Sequence, residues 1–297
     1  MNKYSLQTGQ HKDLSDVVSN ISPKKTPFLT MIGSRKVNNP HFFWTEEQLD
    51  PVDINNAAAE GADFVDGVSN YLTERDGYTQ ILTKNVSLSG TSQFDYLAGH
   101  TERMAHQVYL KAESMKRDLE SILLGGQATS RVGDTGKLGS LQSQIDASLV
   151  MDKASASIVK ADLDQLSLQL LEAGAQPTVV LCHPALAKVI SNLYQAERVY
   201  RDIGNGTKVE DYVEVFHNGY FTLKIVQDLF MKYDPTTQVG DIAIIDPSMW
   251  QLAQYRPWQT IEIAKTGDAD RREILVECGL VNKNFFGSGI ITNVKVG

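Results

Sequence analysis

Only two cysteines occur in 297 residues, and Cys182 and Cys278 stand 96 positions apart with no CxxC pair or Cys/His spacing near either. That excludes a disulfide framework and a zinc site, and both thiols are expected in the core. Long apolar runs are missing too. Stretches such as Val179 to Cys182 and Ile242 to Ile245 are far shorter than the roughly 18 residues a membrane-spanning helix needs. Met1 to Lys12 is polar throughout, without the apolar centre of a secretory signal, so the chain is expected to be made and kept inside a cell. Positive charge is scarce: 28 basic residues against 36 acidic ones leave a net of −8, which opposes a surface built to grip nucleic-acid phosphates. With 42% hydrophobic and 22% charged residues, the rest has the composition of a folded soluble protein, long enough for one elaborated domain or two intertwined ones. Disorder, collagen and coiled coil are excluded.

The charge is unevenly spread. Residues 1–40 carry six basic groups against Asp13 and Asp16, whereas residues 41–100 carry only Arg75 and Lys84 against ten acids. A basic arm therefore precedes an acidic segment. Leu14, Val17, Val18 and Ile21 predict a short helix capped by Asp13. Pro23 and Pro27 then predict an extended strap from Ser22 to Leu29. Aromatic residues from His41 to Leu49 predict a strand, and the alternation of Tyr78 to Gly90 predicts a second, joined by an irregular acidic loop. Such a two-stranded excursion is marginal in water, so it must lie on this subunit's body or on a neighbour's.

Thr101 to Leu124 carries an apolar stripe of Met104, Val108, Ala112, Met115, Leu119 and Ile122, with Arg103, Lys111, Lys116 and Glu120 on the other faces. A helix of that length is long for a domain of this size. Asp162 to Ala173 is a second helix; Thr178 to Cys182 is a short buried strand running into a third helix with His183 as N-cap and Pro184 in its first turn. Asp211 to Phe216 and Tyr220 to Gln227 flank His217-Asn218-Gly219, a hairpin signal. Five further strands are predicted: Gly240 to Asp246, Met249 to Arg256, Thr260 to Lys265, Glu273 to Val281 and Gly289 to Val296.

No catalytic constellation emerges from the residues. Gly133 to Lys137 is half of a phosphate loop, but Arg131 and Leu138 stand where a glycine and a hydroxyl are required. His100 and His106 fall on opposite helix faces and make no metal pair. Ser288 lies between glycines near a strand start, without the strand-to-helix elbow of a hydrolase nucleophile. Trp250, Tyr255 and Trp258 on predicted strands are core aromatics, and the adjacent Glu46 and Glu47 point to opposite sides of a strand. No cofactor or metal is implied.

Several runs do carry a resemblance. They are Asp13-Leu14-Ser15-Asp16, Ile21-Ser22-Pro23, Thr26-Pro27-Phe28-Leu29, Trp44 with Ala59-Glu60-Gly61, Tyr78-Thr79-Gln80-Ile81 with Val86 and Ser89-Gly90-Thr91, and Lys116-Arg117-Asp118-Leu119-Glu120. Near the end come Ile245-Asp246-Pro247, Ala264-Lys265-Thr266-Gly267-Asp268 and Glu277. Together they resemble the tailed-phage major capsid proteins with the Hong Kong 97-type fold, well over about 13–125, moderately over 241–293, and weakly between. The resemblance implies an α+β subunit with an N-terminal arm (1–40), an extended loop or E-loop (41–95), a peripheral domain whose first part (96–154) holds the long spine helix, an axial domain (155–245) and a second peripheral part (246–297).

It further implies a mechanical function: hexamers and pentamers of the chain tiling an icosahedral head around double-stranded DNA in the virion, assembled in the host cytoplasm. A portal is an implied partner, a decoration protein a further one, with a separate scaffold or none, and neither a membrane nor an enzymatic activity is implied. Inter-subunit pairing is expected between Lys24, Lys25, Arg35 and Lys36 and the acids Glu46, Glu47, Asp63 and Asp66 of a neighbour. Arm and E-loop are expected to serve association more than the subunit's own fold, so that removal of residues 1–35 would leave it folded. The fold's namesake joins a lysine of one E-loop to an asparagine of a neighbour with a glutamate assisting. Lys84 is the only lysine between residues 41 and 100, with Asn282, Asn284, Asn293 and Glu277 as the corresponding partners; a non-covalent shell is the expectation. Two alternatives stay open: an encapsulin-like compartment enclosing an enzyme cargo, and a soluble α/β enzyme with an unrecognised site.

Overall fold

The computed structural model describes residues 25–47, 49, 52–61, 63, 72–91, 103–194, 214–265 and 267–296. The helix predicted from Asp13 lies outside them, as does His100. The described chain is α+β and is organised around two sheets.

The first sheet has four strands: β1 (Gly33–Lys36), β13 (Trp250–Ile263), β14 (Ala269–Asn282) and β4 (Gln80–Ser89), in that spatial order. Antiparallel β13 and β14 run in register from Trp250 opposite Asn282 to Ile263 opposite Arg271. The two strands predicted over 249–265 are thus one. Pro257 lacks a backbone donor and falls between the two predicted stretches, but it does not end the strand. It lies beyond the stretch covered by β1, between register shifts at Gln254/Arg256 and Arg256/Gln259, where a bulge absorbs the missing hydrogen bond.

The long helix α2 (Arg103–Leu124) packs on β4 and β14. Its 22 residues span about 33 Å at roughly 1.5 Å each, and only Met115, Leu119, Glu120, Leu123 and Leu124 are buried. The first half is left half-covered or exposed. Glu120, placed by periodicity on a solvent face, is fully buried, for a reason given below.

The second sheet has the order β7 (Val150–Asp152), β15 (Gly289–Lys295), β12 (Val239–Ile245), β8 (Val179–Cys182), β10 (Thr222–Gln227) and β9 (Val215–His217), with β11 (Tyr233–Asp234) on β12. Helix α3 (Lys160–Glu172) presses Leu166 onto Gly289, where an added Cβ would lie 2.7 Å from the leucine Cδ1. Helix α4 (Pro184–Leu193) begins as predicted, with His183 Nδ1 accepting from Ala185 N at 3.3 Å and Pro184 in the first turn. The hairpin at Asn218-Gly219 forms: Asn218 Oδ1 accepts from Tyr220 N and Phe221 N, and Gly219 takes φ +87°. One apolar core joins both sheets, with Phe28, Leu119, Leu166, Leu181, Ile244 and Trp250 all fully buried within it.

Strand β2 (His41–Glu46) pairs antiparallel with β3 (Thr73–Tyr78), not with the segment after Tyr78. That later segment is β4, which joins the first sheet from Ala269 opposite Ser89 to Cys278 opposite Gln80. Residues 130–137 make a small hairpin of β5 (Ser130–Val132) and β6 (Thr135–Lys137), so the half phosphate loop is a turn.

Candidate functional site and assembly surfaces

Pro27 opens a short helix, α1 (Pro27–Met31), where an extended strap was expected to continue to Leu29. The cause is remote in sequence. Glu120 Oε1 accepts from Phe28 N at 2.7 Å and Oε2 accepts from Leu29 N at 2.9 Å, so the last turn but one of α2 satisfies the orphan donors of α1. Phe28 then inserts into the core against Trp250, ring centres 6.1 Å apart and edge-on, and β1 adds parallel to β13. Residues 27–36 are therefore part of the subunit's fold. The expectation that everything up to residue 35 is dispensable to that fold is corrected by the burial of Phe28.

The β2–β3 ribbon leaves the body from a stapled root. Thr79 N donates to Pro40 O at 2.8 Å, and Glu277 accepts from Thr79 Oγ1 at 2.8 Å and from Arg256 Nε at 2.6 Å. Phe42 and Trp44 bury against Val37, Ala253 and Val281 in a second small core. Gly77 and Gly279 make room for the Phe42 ring: a Cβ on either would lie 2.9 Å or 2.6 Å from its atoms. Beyond Glu46 this support ends. Leu49, Val52 and Ile54 are at least 90% exposed, and every described residue from 52 to 61 is exposed. A run of apolar side chains held out on a ribbon is a surface that a partner must cover.

Of the eight residues expected at subunit contacts, Lys24 and Asp66 lie outside the described residues. Lys25, Arg35, Lys36, Glu47 and Asp63 are exposed. Arg35 and Lys36 sit on β1 opposite Ala253 and Gln254. Among the described residues no ion pair within the subunit joins these bases to these acids. Glu46 differs: its carboxylate is 11% exposed, pairs with Arg75 Nε at 3.3 Å and accepts from Phe285 N at 3.3 Å, while the Arg75 guanidinium lies 4.1 Å from the Phe285 ring centre. It belongs to the ribbon's root.

The groups tested for chemistry are structural. Ser288 Oγ accepts from Trp250 Nε1 at 3.0 Å inside the core. Asn282 donates to Gln144 O and accepts from Asn284 N, Asn284 accepts from Phe286 N, and Asn293 sits at φ +54° with its amide on Asp152. Lys84 Nζ contacts Ser114 Oγ at 3.2 Å and pairs with Asp118 Oδ2 on the spine helix. Burial pushes the Cys182 and Cys278 thiols up to about 12, which leaves them inert. Among the described residues no group of three metal-ligating side chains occurs.

Comparison with known proteins places this architecture. The "Major capsid protein" of Escherichia phage Phieco32 is 28% identical over 341 residues, covering 96% of this chain and 94% of that one. The capsid structure of cyanophage P-SCSP1u is similar with a TM-score of 0.66 at 9% identity, over 96% of this chain and 93% of that chain. The holo-SrpI encapsulin of Synechococcus elongatus PCC 7942 is similar with a TM-score of 0.64 at 11% identity, over 97% and 93%. The fold is thus common to phage capsids and an encapsulin, and fold alone does not choose between them. Sequence does: the model of the SU10 major capsid protein family matches residues 2–295, and the chain belongs to that family.

Proposed function

We propose that this capsid protein builds an icosahedral phage head from hexamers and pentamers of itself, enclosing double-stranded DNA, and that it performs no chemistry. The observation that carries the reading is the ribbon whose apolar tip, Leu49, Val52 and Ile54, has no cover among the described residues of its own subunit. In a ring closed by rotation each tip lies on the next subunit, so one surface satisfies every copy. The residues of the division into arm, E-loop, peripheral and axial parts fit this use: 41–95 carries the ribbon, and 96–154 carries the spine helix. Assembly takes place in the host cytoplasm, with a portal at one vertex and any scaffold or decoration protein supplied separately. The net charge of −8 fits a shell that encloses DNA without gripping it.

Electron microscopy of the purified chain tests the reading. Closed shells with fivefold and sixfold clusters are expected, and particles from infected cells are expected to hold nuclease-protected DNA. A chain that stays monomeric at all concentrations, or shells holding a protein cargo and no DNA, would overturn it.

A further inference from the structure

Two buried carboxyl groups meet where the N-terminal segment joins the body. Glu120 on α2 and Asp228, just after β10, are both 0% exposed. Glu120 accepts from the N–H groups of Phe28 and Leu29; Asp228 Oδ1 accepts from Phe230 N at 2.8 Å, and Asp228 N donates to Cys182 O at 3.0 Å. No ion pair among the described residues includes either carboxyl group. Asp228 Oδ2 is buried yet receives no N–H or O–H from any other described group. Two carboxylates in one dry site cannot both be ionised. A single proton answers both difficulties: carried by Glu120, it makes an O–H that donates to Asp228 Oδ2.

The surroundings leave the pair little other help. Helix α1 brings no titratable side chain, only its two N–H groups, and Lys25 before it is exposed. On α2, Arg117 directs its guanidinium to the Phe230 ring, 5.7 Å from the centre. At the start of α4, His183 feels the charge of Asp228 but is held below its ordinary value by burial, and it stacks on Tyr233. The Cys182 thiol stays protonated. Burial first, then the hydrogen bond to Asp228 and the charge of Asp228, push Glu120 up to about 9, against the opposing pull of the Leu29 and Phe28 N–H groups.

We propose that the N-terminal segment is latched to the body by a shared proton: α1 stays docked while one proton lies between Glu120 and Asp228, and losing it opens the contact. The latch belongs to the single subunit and operates whether or not shells form. A carboxyl group freed into water titrates near 4.5, so between that pH and about 9 the docked state holds a proton that the released state gives up. Docking is then complete at the acid end of this window. Each unit of rising pH within it weakens docking by up to about tenfold, and the proton's contribution is gone above about 9.

Hydrogen–deuterium exchange of the purified full-length chain between pH 6.5 and 9.5, corrected for the intrinsic pH dependence of exchange, is the test. Protection of peptides over residues 27–36 is expected to fall at least about tenfold more than that of β8 or β12. Glu120→Gln donates a permanent amide N–H to Asp228, gives up one contact with α1, and is expected to start lower and stay flat. Should that variant fail to fold, Asp228→Asn removes the second charge and is expected to make the same profile shallower, with burial alone still holding Glu120 up. Equal slopes in wild type and in whichever variant folds would overturn the latch.

Discussion

At position 28 a phenylalanine does what the preceding prolines could not announce: it brings the arm back into the core. Phe28 is 0% exposed and meets Trp250, so Phe28→Ala is expected to cost about 3–5 kcal/mol in denaturant unfolding of the subunit. Its legibility in the sequence was nil, because burial here depends on Glu120, 92 positions away, offering two acceptor oxygens to the start of α1. Periodicity assigns a charged residue to solvent and has no means of seeing such a partner. Gly279 carries a second prediction. A methyl group there would meet the Phe42 ring at 2.6 Å, so Gly279→Ala is expected to destabilise by about 1–3 kcal/mol and to deprotect β2 and β3 in hydrogen exchange before the rest of the molecule.

Elements with strong periodicity or punctuation were readable: the spine helix, the His183-Pro184 helix start, the Asn218-Gly219 turn and the strands β12 and β15 all fall within a few residues of expectation. Strand β3 was not. Thr73-Glu74-Arg75-Asp76-Gly77-Tyr78 has no apolar alternation and poor strand propensity, and it is held by its partner through Arg75–Glu46 and His41–Asp76 contacts at 3.3 and 2.9 Å. The basic arm and acidic loop are visible as charge, and among the described residues no ion pair joins them within the subunit. If Arg35 and Lys36 face Glu47 and Asp63 of a neighbour, light scattering should show assembly slowing as salt rises, and Arg35→Glu with Lys36→Glu should slow it further; exposed pairs worth about 0–1 kcal/mol act on rate and register. A rate indifferent to salt would remove the pairing. Replacing Leu49, Val52 and Ile54 by serine is expected to leave subunit unfolding within about 0.5 kcal/mol of wild type while preventing closed shells, since all three side chains are at least 90% exposed in the subunit.

For the whole particle, the ion pair of Lys84 with Asp118 turns the ammonium toward its own spine helix, and both Glu277 oxygens are taken by Thr79 and Arg256. Both groups are engaged within their own subunit. Boiled particles are expected to run as a single band near 32.9 kDa on a denaturing gel; a ladder abolished by Lys84→Ala would reverse the claim. Another consequence follows from the order of strands in the two sheets. β1 and β4, from the first third of the chain, find their partners in β13 and β14 near its end, and β15 completes the sheet begun by β7 and β8. Contacts so distant in sequence give a high contact order, and loop closure must precede any gain from pairing. On a ribosome, neither sheet can close until the last strands emerge. A growing chain therefore offers no finished docking surface to its siblings, and polysomes crowded with this product are protected from nucleating shells on unfinished subunits.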